Sequence, residues 1–143
     1  MKLRPYQTEA LEAVRQKLGL SRGIVAHATG LGKTVLAAAW IAEQRTRDPT
    51  ARVLFLAHRD ELIQQACERL GQWLEPATIG VVKAERHEID RPILVASVQS
   101  LVRRLDRTPR MNACVIDECH HSLATTYQRI LDWLGPMVPT LGL

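Results

Sequence analysis

A glycine-rich segment between an apolar strand-like run and an apolar helix-like run constrains the fold of this chain more than any other feature. Residues 22–26 are mostly apolar, as in a short buried strand, and residues 35–44 are rich in Ala, Leu and Ile, as in a helix packed on a sheet. Between them, Gly30 and Gly32 can adopt positive φ and let an anion approach backbone N–H groups. This order predicts an α/β fold in which a helix N-terminus faces an anion.

The residues that follow the glycines indicate which anion is expected. Lys33 can reach the β- and γ-phosphates of a nucleotide, and the Thr34 hydroxyl can bind Mg²⁺. The strict P-loop pattern has glycine where this chain has His27, so a plain glycine turn with a solvated Lys33 is the alternative. The predicted nucleotide-binding loop comprises Thr29, Gly30, Leu31, Gly32, Lys33 and Thr34.

Two adjacent carboxylates lie about eighty residues after this loop. Residues 111–116 predict a buried strand, and Asp117 and Glu118 follow at its carboxyl end, where open α/β sheets bind ligands. Neighbouring carboxylates repel each other unless a cation lies between them. We therefore expect Asp117 to hold Mg²⁺ through water and Glu118 to activate an attacking water, with a pair of exposed turn acids as the alternative. Loop and carboxylates together predict ATP hydrolysis, with Lys33, Asp117 and Glu118 as catalytic residues.

Helix-like and strand-like segments alternate along the chain and predict one α/β domain over residues 1–143. Helices are expected near residues 5–18, 33–46, 60–74, 97–105 and 124–134. Strands are expected near residues 23–27, 52–57, 78–82, 92–96 and 112–116. Such alternation favours a mostly parallel sheet with helices on both faces. The polar stretches 45–52 and 83–91 are expected to be surface connections.

With both motifs in place, the chain resembles the first motor domain of superfamily 2 helicases and translocases, a RecA-like P-loop NTPase domain. Asp117 begins a D-E-C-H box, and the resemblance covers essentially the whole chain, with the restriction-enzyme-type and DNA-repair-type branch the most similar. The resemblance implies that residues 3–7 recognise adenine, with Arg4 and Gln7 in the nucleotide site. An amide has the donor and the acceptor that the adenine edge needs. The alternative for Gln7 is an exposed residue on the first turn of a helix that begins at Pro5.

The resemblance also implies a nucleic-acid-binding surface where two strands end. Residues 53–59 are similar to family motif Ia, and residues 93–101 are similar to the next motif that contacts nucleic acid. Polar groups at the second turn could donate to a sugar-phosphate backbone, whereas helix N-caps are the alternative for its serines. The residues expected to contact nucleic acid are His58, Arg59, Ser97, Gln99 and Ser100. In the family, His120 couples the nucleotide state to nucleic-acid binding.

Partners of several kinds follow from the resemblance. DNA is the expected track, and RNA is the alternative because similar strings occur in the branch that senses double-stranded RNA. The chain ends before the family's T-A-T-P motif, so a second RecA-like motor domain, with an arginine finger worth about 10³–10⁵ in rate, is an expected partner. We expect the 143-residue piece by itself to bind Mg-ATP weakly and to hydrolyse it very slowly. A P-loop ATPase without a nucleic-acid role and a nucleotide-switch module are the other functions that the residues allow.

Composition excludes little. The net charge of +4 suits a polyanionic partner, but 4% aromatic residues are too few for a binder that stacks single-stranded bases. No signal peptide, membrane-spanning run or cysteine framework is apparent, so we expect a cytoplasmic protein without membrane partners. No second cysteine pair follows Cys119, so no structural zinc is expected. An arginine cluster, which flanks a nucleic-acid track or forms a solvated loop, comprises Arg103, Arg104, Arg107 and Arg110.

Overall fold

Five helices and seven strands are present in the residues that the computed structural model describes, namely 3–18, 23–24, 32–117 and 125–143. The helices are α1 (Pro5–Leu18), α2 (Lys33–Arg47), α3 (Ile63–Gly71), α4 (Val98–Val102) and α5 (Thr125–Leu134). The strands are β1 (Gly23–Ile24), β2 (Val53–Ala57), β3 (Ile79–Lys83), β4 (Arg86–His87), β5 (Ile93–Ser97), β6 (Ala113–Ile116) and β7 (Thr140–Gly142). Short 3₁₀ turns occupy Asp60–Leu62, Pro76–Thr78 and Leu105–Arg107.

The strands form one sheet in the order β1-β7-β6-β2-β5-β3-β4. All neighbouring strands are parallel except β3 and β4, which are antiparallel. The carboxyl ends of the six parallel strands therefore meet along one border of the sheet, which we call the carboxyl edge. The predicted mostly parallel α/β sheet is confirmed.

Strand side chains alternate between two apolar layers, one on each face of the sheet. In β2, Val53 and Phe55 pack in the layer that contains residues of α1, α2 and α3. Leu54 and Leu56 pack in the other layer, with residues of α4 and α5. Helices therefore cover both faces, as the alternation in the sequence predicts. None of the described helices has the length and apolar character needed to cross a membrane.

Helix α2 holds Gly32, the residue directly before it, at a fixed place because the middle of the helix is deeply buried. Residues 36–41 are all buried, and α2 packs between α1 and α3 on one face of the sheet. The apolar stretch at residues 36–41 covers more than one side of the helix, so it is stable only inside such a layer. The small side chains of Ala37, Ala38 and Ala39 allow the close packing, and Trp40 fills the remaining space.

The predicted surface connection at residues 83–91 is wrong in part, because it contains β4. The β3–β4 hairpin is held by the Glu88 carboxylate, which accepts a hydrogen bond from the Val81 N–H at 2.9 Å. Gly80 allows the return strand to approach, because a Cβ at that position would collide with the Glu88 carbonyl oxygen. Polar sequence therefore forms a strand here through hairpin pairing with β3 rather than through apolar periodicity.

Two helices have other boundaries than the sequence predicts, and one additional strand is present. The expected helix at 60–74 is a 3₁₀ turn followed by α3, and the expected helix at 97–105 ends at residue 102. Thr140–Gly142 forms β7 between β1 and β6, where no strand was expected. Three residues carry too little periodicity to indicate a strand, and here pairing with both neighbours defines it.

Candidate functional site

The start of α2 lies at the carboxyl edge and has the conformation expected for a nucleotide-binding turn. Gly32 precedes the helix with φ +111°, in the left-handed region that favours glycine. A Cβ at Gly32 would lie 3.0 Å from Gln7 Nε2, so glycine is needed for space as well. Gly32 has no side chain with which to cap α2, which suits the helix start to an external anion. Lys33 and Thr34, both partly buried, are the first two residues of α2.

The segment expected to bind adenine packs against this turn. Gln7 is only 7% exposed, so the alternative of an exposed residue on α1 is wrong. Its Oε1 accepts a hydrogen bond from the Arg4 backbone N–H at 2.9 Å, and its Nε2 faces Gly32. Arg4 contributes its backbone here, while its side chain is exposed. The structure thus brings Arg4 and Gln7 to the start of α2.

One neighbour of this turn was missed by the sequence analysis. Tyr6 is 42% exposed, and a Cβ at Gly32 would lie 3.6 Å from its phenolic oxygen. An exposed aromatic ring in the expected adenine segment is the signal that could have identified it. Such a ring offers an apolar wall beside the polar Gln7 amide.

Asp117 follows β6 at the carboxyl edge, two strands from β1, the strand that precedes the glycine-rich segment in the sequence. It is partly buried and donates its backbone N–H to the Leu56 carbonyl at 2.9 Å. In the register, Ile116 pairs with Gly142 of β7, which also pairs with Ile24 of β1. Two strand spacings place the ends of β1 and β6 about 10 Å apart. Five other predicted residues lie outside the described residues: Thr29, Gly30, Leu31, Glu118 and His120.

Strands β2 and β5 end level with each other on the other half of the carboxyl edge. Ala57 pairs with Ser97 in the register, so the residues that follow both strands emerge side by side. Arg59 and Gln99 are exposed at these two ends. Within the part of the chain that the structure describes, neither side chain has a hydrogen-bond or ion-pair partner. Both can therefore contact an external polyanion without losing an internal contact.

The two serines of the same turn have internal roles, as the helix-cap alternative predicts. Ser97 is 0% exposed, and its hydroxyl accepts a hydrogen bond from the Ser100 N–H at 3.2 Å, which caps α4. The Ser100 hydroxyl accepts from the Ala84 N–H at 3.2 Å and donates a long hydrogen bond to Asp60 Oδ1 at 3.4 Å. The Ser100 hydroxyl thus donates within the protein rather than to a phosphate, and the Ser97 hydroxyl is buried beneath the cap.

His58 is also engaged with the protein, although it lies at the carboxyl edge. Its ring stacks on Tyr127 of α5, with ring centroids 6.3 Å apart and an interplanar angle of 12°. Tyr127 is fully buried, so this contact fixes the first turn of α5 against the end of β2. One face of the His58 ring is therefore covered by the protein.

The arginine cluster divides into one structural residue and three exposed ones. The Arg104 guanidinium donates to the Ala84 carbonyl, and to the Arg86 carbonyl at 2.9 Å. Exposed positions without a hydrogen-bond or ion-pair partner in the described ranges are those of Arg103, Arg107 and Arg110. The solvated-loop interpretation thus fits these three, and Arg104 stabilises the hairpin.

A surface cavity of about 210 Å³ lies beside α3, and none of its lining residues belongs to the start of α2. Its lining comprises Gln64, Cys67, Pro76, Ile79, Val81 and Arg86, none of which the sequence assigns to a site. Burial raises the pKa of the Cys67 thiol, so the nucleophilic thiolate is disfavoured. Cys114 is buried within β6. These features are consistent with packing rather than chemistry.

Comparison with known proteins identifies relatives along almost the entire chain. The family model described as the type III restriction enzyme, res subunit, matches residues 1–141. A protein named as an ATP-dependent helicase, IRC3 of Saccharomyces cerevisiae, is 38% identical in an alignment that covers 91% of this chain and 20% of that protein. The Schizosaccharomyces pombe protein named as a mitochondrial ATP-dependent helicase, irc3, is 35% identical over 94% of this chain and 23% of its own length. The chain thus spans about a fifth of these relatives.

Two solved structures have a similar fold. The Hef helicase domain of Pyrococcus furiosus superimposes with a TM-score of 0.80 and 25% identity, covering 99% of this chain and 32% of that chain. The SWI2/SNF2 ATPase core of Sulfolobus solfataricus, solved with double-stranded DNA, superimposes with a TM-score of 0.79 and 20% identity, covering the same shares. The predicted RecA-like fold is confirmed.

Proposed function

Because the chain belongs to the family of the type III restriction enzyme res subunit, we propose that it is the ATP-binding motor domain of an enzyme that couples ATP hydrolysis to movement on DNA. The observation that carries this proposal is the packing of Gln7 against Gly32, at the uncapped start of α2. A base-reading amide and a phosphate-binding turn lie together there, as an adenine nucleotide requires.

Each residue of the proposed nucleotide site has a role that its chemistry allows. Mg²⁺, when bound, neutralises phosphate charge and orients the terminal phosphate. Lys33 pairs with the β- and γ-phosphates, while the Thr34 hydroxyl and the Asp117 carboxylate offer the oxygen ligands that a hard cation prefers. Glu118 accepts a proton from the attacking water. Gln7 donates to the base through Nε2, since its Oε1 already accepts from Arg4.

We propose DNA as the polymer that this motor follows. The family is named for a restriction enzyme, and an endonuclease subunit of a Staphylococcus aureus type I restriction enzyme is 30% identical over 85% of this chain and 15% of its own length. Restriction enzymes act on DNA. The exposed Arg59 and Gln99 provide a cation and an amide for its backbone, and His58 borders them. RNA is the alternative polymer.

The proposed motor also requires parts beyond the described residues. A second RecA-like domain completes the ATP cleft and supplies an arginine finger, and His120 couples that cleft to the DNA side. The relatives do not share one compartment, since one is named as mitochondrial and others belong to a bacterium. A cytoplasmic location therefore stays a prediction.

Steady-state ATP turnover by the natural protein tests the proposed function. We expect turnover to rise on addition of duplex DNA, more than with single-stranded DNA or RNA, and to be lost in Lys33→Ala. Arg69→Ala, an exposed cation in the second half of α3, is the matched control and should behave like wild type. Turnover that none of the three polymers changes would instead favour a P-loop ATPase without a nucleic-acid role. Nucleotide binding without turnover would favour a switch module.

A further inference from the structure

The end of β3 lies in line with the two strand ends that carry Arg59 and Gln99. Val82 pairs with Ala96 in the register, so Lys83 is level with Ser97 at the carboxyl edge. The strand order β2-β5-β3 therefore places three polar strand ends in a row. The row spans two strand spacings, about 10 Å, or roughly three nucleotides at 3.4 Å per nucleotide of one DNA strand.

In the turn after β3, the backbone N–H and carbonyl of Ala84 are both held by side chains of residues 100–104. The Ala84 N–H donates to the Ser100 hydroxyl at 3.2 Å, and the Ala84 carbonyl accepts from the Arg104 guanidinium. Ser100 also reaches Asp60 at 3.4 Å, which connects the turn to the residue that follows Arg59. Elements that are far apart in sequence are thus bonded to each other directly beneath the row.

Ala84 adopts a conformation that the surrounding bonds must maintain. Its φ is +46°, and among the described residues it is the one non-glycine with positive φ. A side chain disfavours this left-handed region, so such residues occur mostly where a fixed local geometry is required. Ala84 directly follows Lys83 in the two-residue loop of the hairpin, so the bonds that hold Ala84 also fix the backbone at the end of β3.

These contacts assign different roles to Ser100 and Lys83. A hydroxyl has one proton to donate, and that of Ser100 goes to Asp60, so it has none for a phosphate oxygen. Lys83 is partly exposed and has no hydrogen-bond or ion-pair partner within the described ranges. Its ammonium group carries three donors and a positive charge, as phosphate binding requires.

We propose that Lys83 is a phosphate-contacting residue of the DNA-binding surface, and that Ser100 and Arg104 position it through Ala84. The inference rests on the proposed function, because it presupposes that DNA follows the carboxyl edge. Lys83 follows Val81 by two residues in β3, so both side chains lie on the α3 side of the sheet. Gln99 belongs to α4, which packs on the other side. The DNA strand therefore crosses the edge from one face to the other.

Salt-dependent DNA binding by the natural protein tests this role. Fluorescence anisotropy with a labelled DNA duplex and a non-hydrolysable ATP analogue gives the affinity at several salt concentrations. We expect Lys83→Gln to weaken binding about three- to tenfold at low salt and to reduce the magnitude of the slope of log K against log salt by about 0.9. Lys83→Arg should retain both the affinity and the slope, because the charge is kept.

A double-mutant cycle tests whether Ser100 acts through Lys83. Ser100→Ala should weaken binding in the wild type but have little further effect in Lys83→Gln, because its role is to position that residue. Arg69→Gln removes the same charge from α3 and should change neither affinity nor slope. A circular dichroism melt of each variant verifies that it is folded.

The outcomes separate this inference from the proposed function. If the wild type binds DNA while Lys83→Gln retains its slope, the role of Lys83 is wrong and the DNA motor stands. If Ser100→Ala and Lys83→Gln are additive, Ser100 does not act through Lys83. If the wild type does not bind DNA at any salt concentration, the proposed function fails, and this inference fails with it.

Discussion

The two halves of the carboxyl edge are organised on different principles. On β1, β7 and β6, the predicted residues are close in sequence to the turns that present them, as Lys33 and Thr34 are to Gly32. On β2, β5 and β3, a residue's role depends on bonds between distant segments, as Ser100 shows through Ala84 and Asp60. Local backbone geometry accounts for the start of α2, to which α1 adds the Gln7 contact, whereas tertiary hydrogen bonds account for the position of Ser100. A short motif can therefore describe the start of α2 but not the bonds of Ser100.

Among substitutions expected to affect only one half of the carboxyl edge, Gly80→Ala should have the largest effect. A Cβ there would collide with the Glu88 carbonyl oxygen and with the Arg91 side chain, so the β3–β4 hairpin must move. We expect a loss of about 2–4 kcal/mol of unfolding free energy and weaker DNA binding, with ATP affinity retained in the protein that stays folded. Urea unfolding and anisotropy measure the two quantities.

Gly71→Ala is the control for that substitution. Its Cβ would lie 3.7 Å from the Pro76 side chain, an ordinary contact, so stability should be unchanged or slightly higher. An equal loss of stability in both variants would mean that the close approach at Gly80 is not what stabilises the hairpin.

The next largest effect is expected for Gly32→Ala, in the half of the carboxyl edge that is proposed to bind ATP. A side chain at φ +111° costs about 1–2 kcal/mol, and the Cβ would also displace the Gln7 amide. Gly135→Ala separates the two causes, because Gly135 has φ +93° with nothing within 4 Å of its Cβ. Both variants should melt at lower temperature, but only Gly32→Ala should weaken ATP binding, as measured by calorimetry. Unchanged ATP affinity in Gly32→Ala would remove the main support for the site.

Smaller effects are expected for the buried Ser97 and the exposed Gln99, and they should differ in kind: one on stability, the other on DNA affinity. Ser97→Ala removes the cap of α4 and should cost about 1 kcal/mol of stability without changing the salt slope of DNA binding. Gln99→Ala should do the opposite, with stability unchanged and DNA affinity reduced a few-fold, because Gln99 is exposed. Matching profiles for the two variants would contradict the division of roles within this turn.

The sequence predicts the fold well because its signals are local and repeated. Apolar runs define β2, β5 and β6, and the glycine-rich turn defines the start of α2. It did not predict β4 or β7, where a few residues acquire strand structure only through pairing with neighbours. It also gave no role to Lys83, because no family motif that the chain resembles includes that residue, whereas Arg59 belongs to the segment similar to motif Ia.

The predicted role of the serines shows where motif reasoning ends. A hydroxyl at a strand-to-helix turn suits both a helix cap and a phosphate contact, and sequence spacing is the same for the two. Burial of Ser97 and the bonds of Ser100 to Ala84 and Asp60 are tertiary facts that decide between them. Gln7 shows the converse, because its burial favours a site over the exposed-residue alternative.

The central claim is that one edge binds ATP on one half and DNA on the other. Its most direct test is to measure ATP affinity and DNA affinity on the same two variants of the natural protein, Lys33→Ala and Arg59→Ala. We expect Lys33→Ala to lose at least about tenfold in ATP affinity with DNA affinity retained in the absence of nucleotide. Arg59→Ala should lose about three- to tenfold in DNA affinity with ATP affinity unchanged. Equal losses of both affinities in either variant would contradict the division.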